Sequence, residues 1–451
     1  MNKTFIHIIL ILILQFFSLA FAIDDIKLEE NTSEITVPKT ASITFDEVFK
    51  KAINHSYDIT IADFDVLISK TGITSARSEY FPKLSLYMGT EYTHNYSSGM
   101  NIVTTVGEMF INPYTRYQSV MGITLSYNVF DFGVRRGRLD LAKEDVELKK
   151  MQEMEAVREL ELNIIDIYTK ILVAKRQLDL EKEILDLNSK NLELSKRLYK
   201  AKVISKTDLN DAEFKVSQTQ SQIADLKKIL AENLVWLGFY TQDKYDPENI
   251  KIAEIDKVKF NPSDNVDYTK SLTWKIYESE IKKKELELKI TKRQNFPKVN
   301  AYGRYYMYGS DYSSYPDAWD DFGPSSYSIG IGATMPVFDG LVNYADIKKA
   351  KLELQQMYVK RDKAVAEWTT RLSVLRSNVI YLDEQLNQNL SSIKELTEKE
   401  KSKQKLLSKK VIMPIELNQA KVELLETQIE KQKNSITLNS ITRAIDALTR
   451  Y

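Results

Sequence analysis

The chain has 451 residues, with 63 Lys and Arg against 63 Asp and Glu, so its formal net charge is zero. A balanced chain creates no overall field that would draw it to nucleic acid. It contains no Cys, which excludes disulfides, thiolate catalysis, Cys-ligated metals and a lipid-modified N-terminal Cys.

The N-terminal 22 residues have the pattern of a secretory signal peptide. A basic start at Lys3 precedes an apolar run from Phe5 to Phe17, and the segment ends in Ala20-Phe21-Ala22. The run is shorter than the ~20 apolar residues of a membrane-spanning helix, and small residues at its end are typical of a cleavage site. We predict a signal peptide over residues 1–22, with an uncleaved anchor as the alternative, and a polar leader over 23–43.

From residue 44 onward, the order of elements predicts an internal duplication. Phe81-Pro82-Lys83 returns as Phe296-Pro297-Lys298, and Asp208-Leu209-Asn210 returns as Glu416-Leu417-Asn418. A repeated structural unit of this kind decides the fold class before any single motif does. Each half is predicted to consist of a helix, two strands, a long helix, a break and a returning helix. The first half covers residues 44–240, the connector covers 241–262 and the second half covers 263–451.

Helix boundaries follow from capping residues and from Gly and Pro. The first helix is predicted from about Thr44 to Glu79, with Thr44 or Asp46 as its cap, because Pro82 follows. The first returning helix is predicted from about Thr207 to Leu237, ended by Gly238. In the second half, a helix of about 30 residues is predicted to end at Asn295.

Strands are predicted where apolar residues alternate with small or polar ones, at about residues 82–95, 117–130, 298–308 and 326–337. One face of the second strand in each half carries small, uncharged side chains, such as Thr124, Ser126, Ser328 and Gly330. A wall facing a lumen explains this face better than the alternative, a soluble β-sandwich on a coiled-coil stalk, whose outer face would often be charged. After the signal peptide no stretch reaches ~20 apolar residues, so a membrane location requires a closed barrel.

Two stretches without Gly or Pro, residues 138–200 and 341–410, predict two very long helices. At ~1.5 Å per residue, the first spans about 95 Å. Its apolar residues form two seams with a seven-residue period on roughly opposite sides: Ile164, Ile171, Leu178, Leu185, Leu192 and Tyr199 in the first; Val173, Leu180, Leu187, Leu194 and Ala201 in the second. Two seams call for a neighbour on each side, whereas an ordinary antiparallel coiled coil, the alternative, uses one. The second helix repeats the first seam, but its second seam is weaker, at Tyr381 and Gln388.

These elements predict an oligomer. Four strands are too few for a barrel, which needs about eight. Two copies would supply eight strands, and three would supply twelve, enough for a water-filled lumen. The long helices of the same copies would form a helical tube on the same axis.

The arrangement resembles the TolC-like outer-membrane efflux proteins of Gram-negative bacteria, over essentially the whole mature chain. The resemblance rests on both Phe-Pro-Lys turns, on Phe130-Asp131-Phe132-Gly133 with its degenerate copy Phe338-Asp339-Gly340, and on the hairpin tips at 203–208 and 411–416. It implies an internally duplicated α+β membrane protein, whose homotrimer forms a 12-stranded outer-membrane β-barrel continuous with a long periplasmic α-helical barrel. It also implies an exit duct that passively conducts small molecules or polypeptides, received from an inner-membrane pump or type I secretion transporter through a periplasmic adaptor.

The resemblance assigns roles to the hairpin tips. It implies a periplasmic gate of acidic residues at Asp208, Asp211 and Glu416, although the fourth matching position is Gln419. A structural alternative is that an acid in the first turn of a helix is stabilised there by the helix dipole. The tip Gly of the family is replaced by Lys, and the nearby Arg by Ile, so the family's tip salt links lack their Arg here. The predicted adaptor contacts are Lys202, Val203, Ile204, Ser205, Lys410, Val411, Ile412, Met413 and Pro414.

No pattern predicts enzyme chemistry or a cofactor. His7 leaves with the signal peptide, and His55 and His94 have no acidic partners at metal-ligand spacing. The Tyr residues in and beside the first strand of each half are explained by an aromatic girdle at the membrane interface, with stacking on carbohydrate or drugs as the alternative: Tyr87, Tyr92, Tyr96, Tyr302, Tyr305, Tyr306 and Tyr308. The second function class that remains is a structural or adhesive surface fibre on a trimeric coiled coil.

Overall fold

The computed structural model describes residues 43–93, 117–258, 266–323 and 325–450. The predicted signal peptide, nearly all of the predicted leader and the end of the first predicted strand lie outside these ranges. Within them, the chain is mostly helical, with one small antiparallel sheet. None of the helices in these ranges is long and apolar enough to cross a membrane.

The helices of the described residues are numbered in chain order: α1 Phe45–His55, α2 Tyr57–Ser78, α3 Val134–Lys200, α4 Lys206–Thr241, α5 Leu272–Arg293, α6 Tyr315–Asp320, α7 Val342–Ser408 and α8 Pro414–Arg450. The long helices α3 and α7 have 67 residues each, or about 100 Å at ~1.5 Å per residue. Helix α3 begins at Val134 and not at its predicted start, Arg138, so Gly137 lies inside the helix. A Cβ on Gly137 would be 2.8 Å from Ile290 Cγ1, so glycine here lets α5 pack closely.

The predicted first helix, Thr44 to Glu79, is two helices in the structure. Ser56 separates α1 from α2, and its Oγ accepts a hydrogen bond from the Ile59 amide at 3.4 Å. A serine that caps a helix in this way starts a new one, which the apolar pattern does not reveal. Of the two predicted caps, Thr44 caps α1, in a capping box with Glu47, and Asp46 lies in the first turn.

Two further helix boundaries differ from prediction. Helix α4 continues past Gly238, where a Cβ would be 2.7 Å from the Asp243 carbonyl oxygen, and ends in the left-handed turn at Gln242. Gly238 therefore permits a close approach of the chain and does not end the helix. Helix α5 is shorter than the predicted 30 residues, because Ser271 caps it after a separate 3₁₀ turn at Tyr268–Lys270.

The sheet has four antiparallel strands, β1 Lys83–Tyr92, β2 Tyr117–Phe130, β3 Lys298–Asp311 and β4 Ser325–Thr334, in the order β1-β2-β3-β4. Strands β2 and β3 join the two halves of the chain at the centre, and β1 and β4 form the edges. Strand β4 ends before residue 337, its predicted end, because Pro336 has no N–H for a ladder hydrogen bond. Helix α6, which was not predicted, packs on β3, where a Cβ on Gly309 would be 1.9 Å from the Ala318 carbonyl oxygen.

The register places the two predicted kinds of side chain on opposite faces of the sheet. Leu86, Ile123, Tyr305 and Tyr327 form one row across the four strands. The next row, on the other face, consists of Ser85, Thr124, Arg304 and Ser328. We call this second face the polar face; it is formed by Ser85, Tyr87, Gly89, Gly122, Thr124, Ser126, Tyr302, Arg304, Tyr306, Ser328 and Gly330.

A buried ion pair fixes the junction between β2 and α3. The carboxylate of Asp131 accepts hydrogen bonds from the Gly133 amide at 3.1 Å and from Arg135 Nε at 2.9 Å. The guanidinium of Arg135 also donates to the carbonyl oxygens of Glu79 and Val129. Arg135 thus ties together the end of α2, the end of β2 and the start of α3.

The second junction, between β4 and α7, has the same backbone without the arginine. The left-handed pair is Phe132 and Gly133 in the first half and Gly340 and Leu341 in the second. Asp339 accepts a hydrogen bond from the Asn343 amide at 3.0 Å. The second junction therefore keeps the carboxylate that caps the helix. Its glycine comes before the bulky residue, whereas in the first junction the glycine comes after it.

The helices pack side by side in a layer about four helices wide. Near the sheet, the order is α2-α3-α5-α7, and near the hairpin tips it is α4-α3-α8-α7. The core lies around the middle of α3, where Ile164, Tyr168 and Ile171 are completely buried. The helices therefore follow one another across the layer in the same order as the strands connected to them follow one another across the sheet. Helices α2 and α4 lie on the side of β1, and α7 lies on the side of β4.

The two edges of the layer expose apolar side chains. On α7, the first seam is buried at Leu372 and Val379, but Val374 and Tyr381 of the second seam are 54% and 61% exposed. Val173, the counterpart of Tyr381 on α3, packs against the core. At the opposite edge, α2 and α4 expose Ile61, Ile68, Phe214, Val235 and Trp236. Both edges of the described chain thus lack an apolar neighbour.

Candidate functional site

The hairpin tips have the same backbone in both halves. At the first tip, the Val203 amide donates to the Leu198 carbonyl at 2.9 Å; at the second, the Val411 amide donates to the Leu406 carbonyl at 3.0 Å. These are the hydrogen bonds of a Schellman motif, which places one residue in the left-handed region. Lys202 and Lys410 occupy it, with φ of 59° and 61°. The left-handed position of each tip turn, which usually carries Gly, is therefore occupied here by Lys.

Replacing both tip lysines with glycine is expected to stabilise the protein. A left-handed conformation costs an L-residue about 1 kcal/mol relative to glycine. The double variant Lys202→Gly, Lys410→Gly should raise the denaturant concentration at the unfolding midpoint, measured by circular dichroism. Lys182→Gly, inside α3, is the matched control and should lower it. A lower midpoint for the tip variant would show that the lysine side chains stabilise the turns by contacts that outweigh the backbone strain.

The structure gives two of the three predicted gate acids a role in helix capping. The Asp208 carboxylate accepts hydrogen bonds from the Ser205 amide at 2.9 Å and from Ser205 Oγ at 2.7 Å. These bonds lower the pKa of Asp208, so the group is charged in neutral and mildly acidic solution. Glu416 Oε1 lies 3.4 Å from the Met413 amide in the same arrangement. Asp211 lies exposed one turn further along α4.

The predicted contact residues form an exposed, basic tip. Val203, Val411 and Met413 are 58%, 65% and 47% exposed, while Ile204 and Ile412 are half-buried. Ser205 and Pro414 are also exposed. Ser205 caps helix α4, and Pro414 is the first residue of helix α8. Among the described side chains, the lysines of the tip have no carboxylate within 4 Å: Lys200, Lys202, Lys206, Lys405, Lys409 and Lys410.

An amide pair that the sequence did not reveal links the two hairpins near the tips. Asn418 Nδ2 on α8 donates to Asn191 Oδ1 on α3 at 2.8 Å, and Asn191 is 8% exposed. This contact joins the two halves through two uncharged side chains. The only sequence signal is a polar residue at a position that faces the neighbouring helix, and such residues are common on long helices.

The polar face of the sheet is covered by Tyr rings that lie over glycines of neighbouring strands. A Cβ on Gly330 would be 2.6 Å from Tyr302 Cζ, and one on Gly122 would be 2.0 Å from Tyr306 Cδ1. The hydroxyls of Tyr306 and Thr124 are 3.1 Å apart. Within the described ranges, no group of three or more His, Cys, Asp or Glu side chains is arranged to hold a metal ion.

Comparisons with known proteins find a family and a fold. The family model described as "Outer membrane efflux protein" matches residues 48–240. This stretch contains both strands of the first half, the first long helix and the first tip. No curated protein matches the chain at a significant level.

Several solved outer-membrane channels share the fold along nearly the whole chain. The outer membrane protein VceC of Vibrio cholerae has a TM-score of 0.73 at 13% identity, over 90% of this chain and 96% of that one. The CmeC outer membrane channel of Campylobacter jejuni has a TM-score of 0.71 at 13% identity, over 93% and 90%. The MtrE outer membrane channel of Neisseria gonorrhoeae has a TM-score of 0.63 at 14% identity, over 92% and 94%.

Over residues 48–240, the matching family model agrees with the resemblance found in the sequence, and it describes an outer-membrane protein, as predicted. The comparisons name transport channels and not enzymes. The match over residues 48–240 identifies that stretch as an outer membrane efflux protein sequence, and the shared fold extends the architecture of these channels to almost the entire chain.

Proposed function

We propose that three copies of the chain form the outer-membrane exit duct of a tripartite export system. Substrates, small molecules or polypeptides, enter from an inner-membrane transporter and a periplasmic adaptor and leave passively through the duct. Twelve strands form a barrel in the outer membrane, and the helical layers form a tube in the periplasm. The observation that carries this proposal is the pair of unfilled edges, which occur on the same sides of the sheet and of the helical layer.

The two edges are different, so joining one edge of a copy to the other edge of the next would fill both. Strand β1 and helices α2 and α4 form one edge, and strand β4 and helix α7 form the other. A contact between two different edges is heterologous, and it forms a closed ring when the rotation between copies closes. Closure pairs the free hydrogen-bonding groups of β1 with those of β4, and it covers the open second seam of α7. Copies related by such a rotation share one axis.

Three copies suit the sheet better than two. Two copies would give an eight-stranded barrel, whose interior is just filled by side chains. Three would give twelve strands and a water-filled lumen, lined by the polar face. The exposed, basic tips lie at the far end of the tube from the sheet, where the periplasmic adaptor would bind.

The proposed function is tested by the conductance of the purified oligomer in a planar lipid bilayer. We expect discrete, reproducible current steps in KCl. A well-folded oligomer that inserts without conducting would favour the alternative, a structural or adhesive fibre, or a tube sealed at its tips. A variant that lacks the tips, with residues 198–210 and 406–418 replaced by short Gly-Ser turns, separates these two outcomes: a sealed tube would then conduct, and a fibre would not.

Asp208, Asp211 and Glu416 are proposed as acidic rings at the periplasmic mouth that favour cations. The triple variant Asp208→Asn, Asp211→Asn, Glu416→Gln removes nine charges from a trimer and keeps oxygen atoms that can cap the helices. Its permeability ratio of K⁺ to Cl⁻, obtained from the reversal potential in a KCl gradient, should fall by at least about twofold at low salt. The control Asp225→Asn, on the exposed surface of α4 away from the tip, should leave the ratio unchanged. An unchanged ratio in the triple variant would leave these acids with their capping role alone.

A further inference from the structure

We propose that Arg304 forms a ring of three guanidinium groups halfway along the barrel lumen, which attracts anions and opposes cations. The proposal rests on the proposed function, since it requires the polar face to line a trimeric duct. The arginine ring selects for anions within the barrel, whereas the acids at the tips select for cations. Solutes that leave through the duct thus pass the proposed rings of tip acids first and the arginine ring later.

Arg304 is the one charged side chain in the middle of the polar face of the described strands. The other charged residues on that face lie at the ends of their strands: Lys83, Glu91 and Lys298. Arg304 is the seventh residue of the 14-residue strand β3, so it is about 20 Å from either end. Its row neighbours are Thr124 on β2 and Ser328 on β4, which are small and uncharged. No carboxylate of the described residues lies within 4 Å of it.

The guanidinium is held in place by an aromatic ring and not by an acid. Arg304 Cζ lies 4.7 Å from the centre of the Tyr302 ring, a distance typical of a cation–π contact. Tyr302 in turn lies against Gly330, its register partner on β4, where a Cβ would be 2.6 Å from Tyr302 Cζ. The stack Gly330–Tyr302–Arg304 therefore orders the charged group and leaves its full positive charge uncompensated.

The internal duplication makes this charge occur once in each copy. The Phe-Pro-Lys turns are offset by 215 residues (Phe81 to Phe296), and the same offset relates Tyr87 to Tyr302 and Gly89 to Arg304. In the first half, the Tyr87 ring leans over Gly89, where a Cβ would be 2.8 Å from the Tyr87 hydroxyl. In the second half, the corresponding position carries the arginine instead. A trimer thus has three such charges, at one level of the barrel.

Three charges at one level are close enough to act on the whole cross-section. With strands ~4.8 Å apart and tilted by ~40°, a 12-stranded barrel has a backbone diameter of about 24 Å. An arginine side chain reaches about 6 Å inward from the wall, which leaves each guanidinium within about 6–10 Å of the axis, or roughly one Debye length at 0.1 M salt. The potential of the ring is therefore only partly screened at the axis.

The test compares Arg304→Gln with the wild type in planar bilayers, using the reversal potential in a KCl gradient with about 0.1 M on the dilute side. The permeability ratio of Cl⁻ to K⁺ should fall about threefold in Arg304→Gln, and Arg304→Lys should keep it near the wild-type value. Tyr302→Leu, which frees the guanidinium from its stack, should give an intermediate ratio. Lys298→Gln, at the strand end on the same face, is the matched control and should change the ratio least.

The outcomes separate this inference from the proposed function. If the wild type conducts and the ratio is the same in Arg304→Gln, the duct stands and the arginine ring is wrong. If Lys298→Gln lowers the ratio as much as Arg304→Gln does, the selectivity reflects general charge on this face, and the ring again is wrong. If none of the folded, inserted proteins conducts, including the variant without tips, the proposed function itself fails. A ratio that falls in Arg304→Gln and recovers in Arg304→Lys supports the ring.

Discussion

Two glutamates on the open seam of α7 are expected to abolish the oligomer. The variant Val374→Glu, Tyr381→Glu places charges at positions that are 54% and 61% exposed in the single chain, so folding of the chain should be unaffected. In the proposed ring, both positions face the neighbouring copy and lose contact with water. Burying an unpaired carboxylate costs several kcal/mol, and each ring would contain six of them. The mass of the protein–detergent complex, measured by light scattering, should fall from three chains to one.

The matched control for this variant adds the same charges elsewhere on the same helix. Ser373 and Asn387 are exposed and lie about 100° around the helix from the second seam, toward the lumen or the periplasm in a ring. Ser373→Glu, Asn387→Glu should therefore keep the mass of three chains. If the seam variant also keeps that mass and conducts like the wild type, the second seam of α7 does not lie between copies, and the order of helices in the tube must be different.

Removing Arg135 should destabilise the chain by about 3 kcal/mol. The Arg135 and Asp131 side chains are 10% and 6% exposed. Arg135→Ala leaves the Asp131 carboxylate buried without its partner, and it also removes the donors to the carbonyls of Glu79 and Val129. The guanidinium also stacks on the Tyr80 ring at 5.0 Å. Chemical unfolding followed by circular dichroism should show a much lower midpoint.

The second half of the chain supplies an internal control for this prediction. Asn343 corresponds to Arg135 in the duplicated junction, and the structure uses only its backbone amide, which Asp339 caps. Asn343→Ala should therefore change stability by less than about 1 kcal/mol. Equal effects of Arg135→Ala and Asn343→Ala would mean that both junctions depend on general packing and not on the ion pair.

The elements of this fold were predictable where one physical signal dominates. The long helices follow from stretches without Gly or Pro, and the strands follow from a period of two. The sequence did not reveal where two helices meet at a capping serine, as at Ser56, or where a glycine serves a close contact, as at Gly238. Both features depend on residues that are distant in the sequence or on a single hydroxyl group, so local periodicity carries no sign of them.

The candidate sites were predictable to different degrees. The tips and their acids could be located by resemblance and by the repeat. The capping role of Asp208 was foreseen only as the alternative of an acid in the first turn, although the spacing Ser205-x-x-Asp208 is that of a capping box. Arg304 was not singled out, because one arginine in a Tyr-rich strand has no signature. Its place became evident only from the register, which shows that its neighbours across the sheet are Thr124 and Ser328. Charge selection in the barrel is thus a property of the sheet and not of a motif.

The most direct test of the trimeric duct is to count the copies that are joined through β1 of one copy and β4 of the next. Because the chain has no Cys, single cysteines can be placed in β1 at Leu84, Leu86 or Met88 and combined with one in β4 at Ile329. Disulfides form only between residues whose Cα atoms are within about 7 Å. After oxidation in the membrane, at least one pair should give a gel ladder of one, two and three chains that ends at three, whereas each single cysteine alone should not. A ladder that ends at two chains, or one that continues beyond three, would contradict the trimeric duct.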